Sequence, residues 1–114
     1  MKIDLKNPPR EFSVSPQKSV LHMDCGDIIL EHGEQVTFVN ARGKRHDFAA
    51  QSWGYYVTPS INARLRNEGF KTALVKNPQG RYYVLVVDIE ELDAFNAYLH
   101  SEKSHLMEWL DERE

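Results

Sequence analysis

The sequence contains almost no cysteine and has no long hydrophobic run. Cys25 is the single cysteine among 114 residues, so an intramolecular disulfide cannot form. No apolar stretch approaches the roughly 20 residues that a membrane-spanning helix needs, and the N-terminal residues do not resemble a signal peptide. Because disulfides are rare in reducing compartments, we expect a cytoplasmic protein that makes no contact with a membrane.

Motifs for catalysis or phosphate binding are also lacking. Gly54 stands alone, without the Gly-x-x-x-x-Gly-Lys pattern of a phosphate loop, and no Gly-x-Ser-x-Gly elbow occurs. His100 and His105 are five residues apart, so they lack the spacing of a zinc-binding pair on one helix. These absences favour a protein that is not an enzyme, and the sequence predicts no catalytic residue, no metal ligand and no cofactor.

One catalytic alternative remains in the sequence. His22, Asp24 and His46 are the residue types of a two-histidine, one-carboxylate iron site. Such sites usually lie in barrels of eight or more strands, and this chain is too short to build one beside two helices. A small metal-dependent enzyme is therefore the least favoured of the functions considered.

The charge is distributed unevenly along a chain of ordinary composition. The hydrophobic share of 41% and the charged share of 27% are typical of one modest folded domain. Within the net charge of −3, residues 41–81 carry eight basic and two acidic side chains, whereas residues 82–114 carry two basic and nine acidic ones. The basic middle favours an anionic partner; alternatively, the acidic C-terminal helix packs beside it and neutralises it.

The first half of the chain predicts strands. Prolines in residues 1–18 favour an extended N-terminal arm, since proline is confined to strand edges and starts. Alternating apolar residues in 27–31 and 35–39 flank His32-Gly33 and predict a tight hairpin. A third strand is expected over residues 46–50, which would complete a meander.

The second half predicts two helices around a second hairpin. Thr58 as N-cap and Gly69 after the last turn predict a short helix over residues 59–68. Asn77-Pro78-Gln79-Gly80 predicts a type I turn between two strands, the second of which, residues 81–87, is apolar on both faces and expected to be central. Asp88 caps a helix that either continues to Leu110 or breaks near residues 101–104.

These elements predict an α+β fold in the order β-β-β-α-β-β-α. We expect a largely antiparallel sheet of about five strands, with one short helix and one long C-terminal helix. In this interpretation residues 1–18 are the arm and residues 19–114 form a single compact domain.

Residues 52–70 bring together aromatic side chains, a helix start and two arginines. Aromatic faces and guanidinium groups suit a nucleotide or a sugar phosphate, and a helix start can donate N–H groups to an anion. Alternatively, the aromatics are core and the arginines form a solvated helix face. The ligand-binding site that we predict consists of Trp53, Tyr55, Tyr56, Ser60, Arg64 and Arg66.

Two classes of binding function follow from this sequence. The first is a small accessory domain that binds an anionic small molecule or single-stranded nucleic acid through the predicted site. The second is an interaction module for a protein partner or for a second copy of the chain. Its contact would use Trp109, Leu110 and a free sheet edge, although we expect Trp109 and Leu110 to pack back on the domain.

Overall fold

The computed structural model describes residues 1–15 and 20–114, which form two compact units. Unit 1 is Met1–Thr58 and unit 2 is Pro59–Glu114. All strand pairs in the described residues are antiparallel and helices accompany them, which confirms the α+β class. The expected single sheet of about five strands is wrong, because the strands form three small sheets.

The predicted division of the chain was an arm followed by one compact domain. Residues 16–19, which include the expected boundary, lie outside the described residues. Most of the expected arm is a long paired strand. That residues 19–114 act as a single domain stays a prediction.

The first sheet of unit 1 is a two-stranded ribbon. It pairs β1 (Lys2–Ser13) with β2 (Leu21–Ile29). The register shifts beside the Pro8-Pro9 dipeptide, which has no N–H groups to donate. On the facing strand Gly26 allows the close approach, because a Cβ there would overlap the carbonyl oxygen of Asp4.

The second sheet of unit 1 is a meander. It contains β3 (Gln35–Val39), β4 (Arg45–Gln51) and β5 (Gly54–Val57), in that spatial order. The turn between β3 and β4 is closed by Asn40, whose side-chain oxygen accepts two backbone N–H bonds at 3.0 Å. The third strand that the sequence predicts is confirmed as β4.

The hairpin predicted across His32-Gly33 is wrong in its pairing. β2 ends before this dipeptide and β3 begins after it, but β2 pairs with β1 and β3 pairs with β4. The N–H of Glu34 donates to the carbonyl of Glu31, so the connecting residues form a turn between two sheets. The N-terminal strand pairs with β2 along most of its length and so takes the place that β3 was expected to fill.

Unit 2 is a three-stranded sheet with a helix packed on one face. Its elements are α1 (Arg64–Asn67), β6 (Phe70–Lys76), β7 (Tyr82–Asp88), α2 (Leu92–Glu102) and β8 (His105–Trp109), with 3₁₀ turns at Ile89–Glu91 and Leu110–Glu112. The sheet order is β7-β6-β8. A buried cluster between the sheet and α2 forms the core, and it consists of Ala73, Val75, Val87, Phe95 and Leu99, with Leu85, Leu92 and Trp109 packed against it.

The hairpin between β6 and β7 is confirmed, whereas Asp88 caps the 3₁₀ turn that precedes α2 and not α2 itself. The N–H of Gly80 donates to the carbonyl of Asn77 at 3.0 Å, and the Asn77 side chain accepts two further N–H bonds within the turn. At the end of β7, the carboxylate of Asp88 accepts the N–H of Glu90 at 2.9 Å. The turn residues and the acidic cap therefore predict this part of the fold from the local sequence alone.

Both predicted helices differ from the observed ones. α1 has four residues instead of ten, because the residues after Pro59 form turns and the N-cap position is Ala63 rather than Thr58. α2 ends at Glu102, and Lys103 adopts a left-handed conformation with φ 55°. The alternative of a break near residues 101–104 is therefore confirmed, but the segment after the break is the strand β8, which pairs with β6, and not a second helix.

The strand β7 is at the edge of its sheet, so its predicted central position is wrong. It pairs with β6 on one side only within the described sheet. On the α2 face Val87 is buried and Leu85 packs against the core, whereas the other apolar side chains of the strand are exposed. In this sheet, a strand with apolar residues on both faces is therefore an edge strand and not a central one.

Candidate functional site

The six residues of the predicted site divide equally between the two units. The aromatic group, Trp53, Tyr55 and Tyr56, belongs to unit 1. The arginine group, Ser60, Arg64 and Arg66, belongs to unit 2. Their joint action on one ligand stays a prediction, and each group has its own geometry.

The aromatic group lies at the β4–β5 turn. Gln51 pairs with Gly54, which leaves Ser52 and Trp53 as the two residues of the loop. Trp53 is 69% exposed and its ring lies 6.3 Å from the ring of Tyr56, edge to face. These two side chains therefore form an exposed aromatic pair at the tip of the meander.

Tyr55 does not join this pair on the same face. Tyr55 and Tyr56 are neighbours on the regular strand β5, and successive side chains of a strand point to opposite faces. Tyr55 is 70% exposed. The interpretation of the aromatics as core is therefore wrong, but the three rings do not make a single flat stacking platform.

In the arginine group, Ser60 has a structural role. Its hydroxyl accepts the N–H of Arg64 at 2.9 Å, and its carbonyl accepts the N–H of Leu65 at 2.9 Å. Leu65 is fully buried. Because α1 has only four residues, it has little macrodipole to offer an anion.

Arg66 lies beside Asp111 near the end of the chain. Its guanidinium donates to the backbone carbonyl of Asp111 and lies 3.7 Å from the carboxylate. The ammonium of Lys71 lies 3.0 Å from the same carboxylate and 3.7 Å from that of Glu112. For these two basic residues the neutralising carboxylates come from the turn Leu110–Glu112, and not from the acidic helix that was expected to pack beside the basic middle.

Asp111 is the centre of this polar cluster. Its side chain is 1% exposed and accepts the backbone N–H of Thr72 at 2.9 Å. Burial raises the pKa of Asp111, but the hydrogen bonds from Thr72 and Lys71 outweigh burial and hold the pKa below its ordinary value. A buried, ionised carboxylate therefore joins the C-terminal turn to β6 and to Arg66.

Asp111 is absent from the predicted site, because no local pattern in the acidic C-terminal sequence predicts which carboxylate is buried. The nearest signal is the apolar pair Trp109-Leu110 just before it. The Trp109 ring lies 5.8 Å from that of Phe95 and 4.8 Å from the Lys71 ammonium. Because Trp109 packs against the core, Asp111, two residues later, lies close enough to β6 to accept the N–H of Thr72.

The residues of the metal-site alternative have other partners or lie on different sheets. His22 and Asp24 are on β2, and His46 is on β4. The Asp24 carboxylate lies 3.5 Å from Arg10 and accepts the N–H of Gly26. In the part of the chain that the structure describes, no cluster of three histidine, cysteine or acidic residues is arranged to hold a metal.

Exposed apolar side chains are the most extensive surface feature of unit 1. Among its described residues only Ala49 is buried. The large hydrophobic side chains that point outward from its strands and turns are Met1, Ile3, Leu5, Val14, Leu21, Met23, Ile28, Ile29, Phe38, Val39, Trp53, Tyr55, Tyr56 and Val57.

No protein-family model, curated protein or solved structure matches this chain. Among residues 1–15 and 20–114, no helix is both long and apolar enough to cross a membrane. The candidate site is therefore described by the geometry of the chain itself.

Proposed function

We propose that this chain is a non-catalytic binding module whose main partner is a protein. One observation carries the proposal: the described part of unit 1 buries only Ala49, while its strands and turns present fourteen large hydrophobic side chains to solvent. Isolated two-stranded ribbons are marginally stable in water at best. The ribbon of β1 and β2 therefore gains stability when another surface covers it.

The shape of this apolar surface suits a protein better than a small ligand. The exposed side chains are spread along two sheets, from Ile3 on β1 to Tyr55 on β5. Small-molecule sites are concave and compact, whereas stable protein interfaces cover about 800 Å² per partner. Trp and Tyr are also enriched among the residues that contribute most to protein interfaces, which gives Trp53 and Tyr55 a role as anchors.

Site-specific photo-crosslinking tests this proposal in the native cells. A photoreactive phenylalanine replaces Tyr55, which is 70% exposed, and in a matched control it replaces Gln79, an exposed residue in the β6–β7 turn. We expect a discrete crosslinked protein from position 55 and not from position 79. Equal crosslinking at both positions, or none at either, would contradict a partner surface on unit 1.

An anionic or polar ligand is a second candidate, favoured by the exposed pair of Trp53 and Tyr56. Base and sugar rings stack on such side chains, and basic residues supply attraction for a phosphate. In this proposal the rings of Trp53 and Tyr56 stack against the ligand. A nucleotide, a sugar phosphate or a short single-stranded RNA has the required chemistry.

A two-dimensional amide NMR titration with these ligands tests the second candidate. Arg64→Ala is the informative variant, because Arg66→Ala would also remove a partner of Asp111 and so disturb the fold. We expect salt-sensitive shifts around residues 53–66 that weaken in Arg64→Ala. If no ligand in the panel produces shifts there, the candidate is excluded and the protein partner remains.

A further inference from the structure

The edge strand β7 is unusually open to pairing. It has seven residues, and none of them from Tyr82 to Val87 is charged, glycine or proline. Its pairing with β6 runs without a register shift. The side chain of Val84, in the middle of the strand, is 62% exposed. Such an edge offers a row of backbone donors and acceptors together with apolar side chains, and natural proteins normally block such edges.

The other sheet edges carry the expected obstacles. β8, at the opposite edge of the same sheet, has a register shift before Met107 and a charged residue, Glu108, that pairs with Arg113 at 2.8 Å. β1 contains the Pro8-Pro9 dipeptide, and β2 carries charged residues and a glycine. β3 and β5 have only five and four residues. Among the described strands, β7 is therefore the long edge without an obstacle to pairing.

Charge at the two ends of β7 indicates what pairs with it. Arg81 precedes its first residue, whereas Asp88 and Glu90 lie at its C-terminal end; on the neighbouring strand β6, Lys76 and Lys71 flank both ends alike. A second β7 that runs antiparallel places its acidic end beside the basic end of the first. The strand is therefore complementary to itself in the antiparallel direction and repels itself in the parallel one.

The side chains select one register for this pairing. When Val84 faces Val84 of a second copy, Tyr82 faces Val86 and Tyr83 faces Leu85, so each of these five positions meets an apolar partner. A register centred on Leu85 also gives five apolar positions, but it brings Tyr82 opposite the carboxylate of Asp88. The register centred on Val84 instead leaves Asp88 opposite Gly80, outside the strand. Two residues that lie directly opposite each other must point to the same face of the sheet. A residue with an even number can therefore face only another residue with an even number.

We infer that β7 pairs antiparallel with β7 of a second copy of this chain, which joins two three-stranded sheets into a continuous six-stranded sheet centred on Val84. The contact is isologous, because the same strand is used on both copies and the pairing closes at two. The inference goes beyond the proposed function, because it uses a sheet edge of unit 2 and not the apolar surface of unit 1.

Disulfide trapping tests the register directly. In a Cys25→Ser background, Val84→Cys places two thiols opposite each other, with Cα atoms about 4.5–5.5 Å apart, which a disulfide can bridge. In the matched control Val86→Cys, the two thiols are four positions apart along the strands, about 14 Å. We expect covalent dimers to form at least tenfold faster with Val84→Cys. Equal rates, or a faster reaction at position 86, would overturn the proposed pairing.

Sedimentation equilibrium tests whether this edge holds the dimer in solution. Val84→Lys puts a charge at the centre of the contact, and Met107→Lys makes the same change on β8, where the side chain is also exposed. We expect a wild-type dimer whose dissociation constant rises at least tenfold in Val84→Lys and stays within twofold in Met107→Lys. Circular dichroism checks that both variants keep the fold.

The results separate this inference from the proposed function. A wild-type chain that is monomeric up to millimolar concentration overturns the β7 pairing, and so does a dimer that Val84→Lys leaves unchanged. Neither result touches the crosslinks from position 55 on unit 1, which decide the proposed function. Loss of those crosslinks with an intact β7 dimer would instead remove the unit 1 surface and leave the pairing standing.

Discussion

The two units of the chain use similar strands but differ in what covers them. In unit 2, α2 packs on the sheet and a cluster around Phe95 and Val75 is buried. All helices of the described residues belong to unit 2, and the described part of unit 1 buries only Ala49. An alternating strand pattern becomes a core only where the chain supplies a second layer, so the strands of unit 1 are left with a surface for a partner.

The largest expected effect comes from the same substitution in each unit. Phe95→Ala in unit 2 removes a buried ring and should cost about 3–5 kcal/mol of unfolding free energy. Phe38→Ala in unit 1 removes a ring that is 47% exposed and contacts Phe48, and should cost about 1 kcal/mol. Chemical denaturation in a Trp53→Phe background, followed by Trp109 fluorescence and by circular dichroism, measures both. Equal losses of unfolding free energy in the two variants would contradict the difference in burial between the units.

The polar cluster of unit 2 should give an intermediate effect. Asp111→Asn removes the buried carboxylate that Lys71 and Arg66 contact, leaves Lys71 only the more distant Glu112, and should cost about 2–3 kcal/mol. Glu108→Gln, at a surface pair with Arg113, is the control and should cost less than about 1 kcal/mol. Urea denaturation of the two variants measures the contrast, and a neutral Asp111→Asn would show that the cluster is not a structural anchor.

The pH dependence of stability should identify the same carboxylate. The pKa of Asp111 is lowered in the folded chain, so its contribution is present at neutral pH and is lost as the pH falls below the ordinary value of about 3.9. The stability difference between the wild type and Asp111→Asn should therefore shrink as the pH falls from 6 towards 2. A difference that stays constant across this range would mean that Asp111 stabilises the fold without its charge.

The smallest effect on stability is expected at Trp53. Because its side chain is 69% exposed, Trp53→Ala should change the unfolding free energy by about 0.5 kcal/mol or less. Acrylamide should quench Trp53 strongly in a Trp109→Phe variant, and Trp109 much more weakly in Trp53→Phe, since Trp109 packs against the core. Similar quenching of the two residues would indicate that Trp53 is covered in solution.

Local signals in the sequence predicted the hairpin of unit 2 and the cap that follows it. Asn77, Gly80 and Asp88 act through hydrogen bonds to residues within four positions, so their effect is visible without knowledge of the fold. Gly69 likewise adopts φ 85° after α1, as its expected role as a helix stop requires. Turns and caps of this kind can be predicted because the hydrogen bonds that form them join residues that are close together in the sequence.

The pairing of strands could not be predicted in the same way. β2 has an apolar pattern that fits either β1 or β3, and only the complete fold decides between them. The residues of β8 follow a helix with compatible periodicity, and their pairing with β6 overrides that tendency. For the site, the sequence predicted which aromatics and arginines were candidates, but it did not predict that Asp111 would engage Arg66.

Amide hydrogen exchange of the isolated chain tests the difference between the units most directly. We expect slow amide exchange in β6 and α2, which enclose the core of unit 2. In β1 and β2 of unit 1, we expect exchange rates at least a hundredfold higher. Addition of the protein identified by crosslinking from position 55 should slow amide exchange in unit 1 and leave the exchange of unit 2 unchanged. Equally slow exchange in both units without any partner would contradict the claim that unit 1 is built to be covered by another protein.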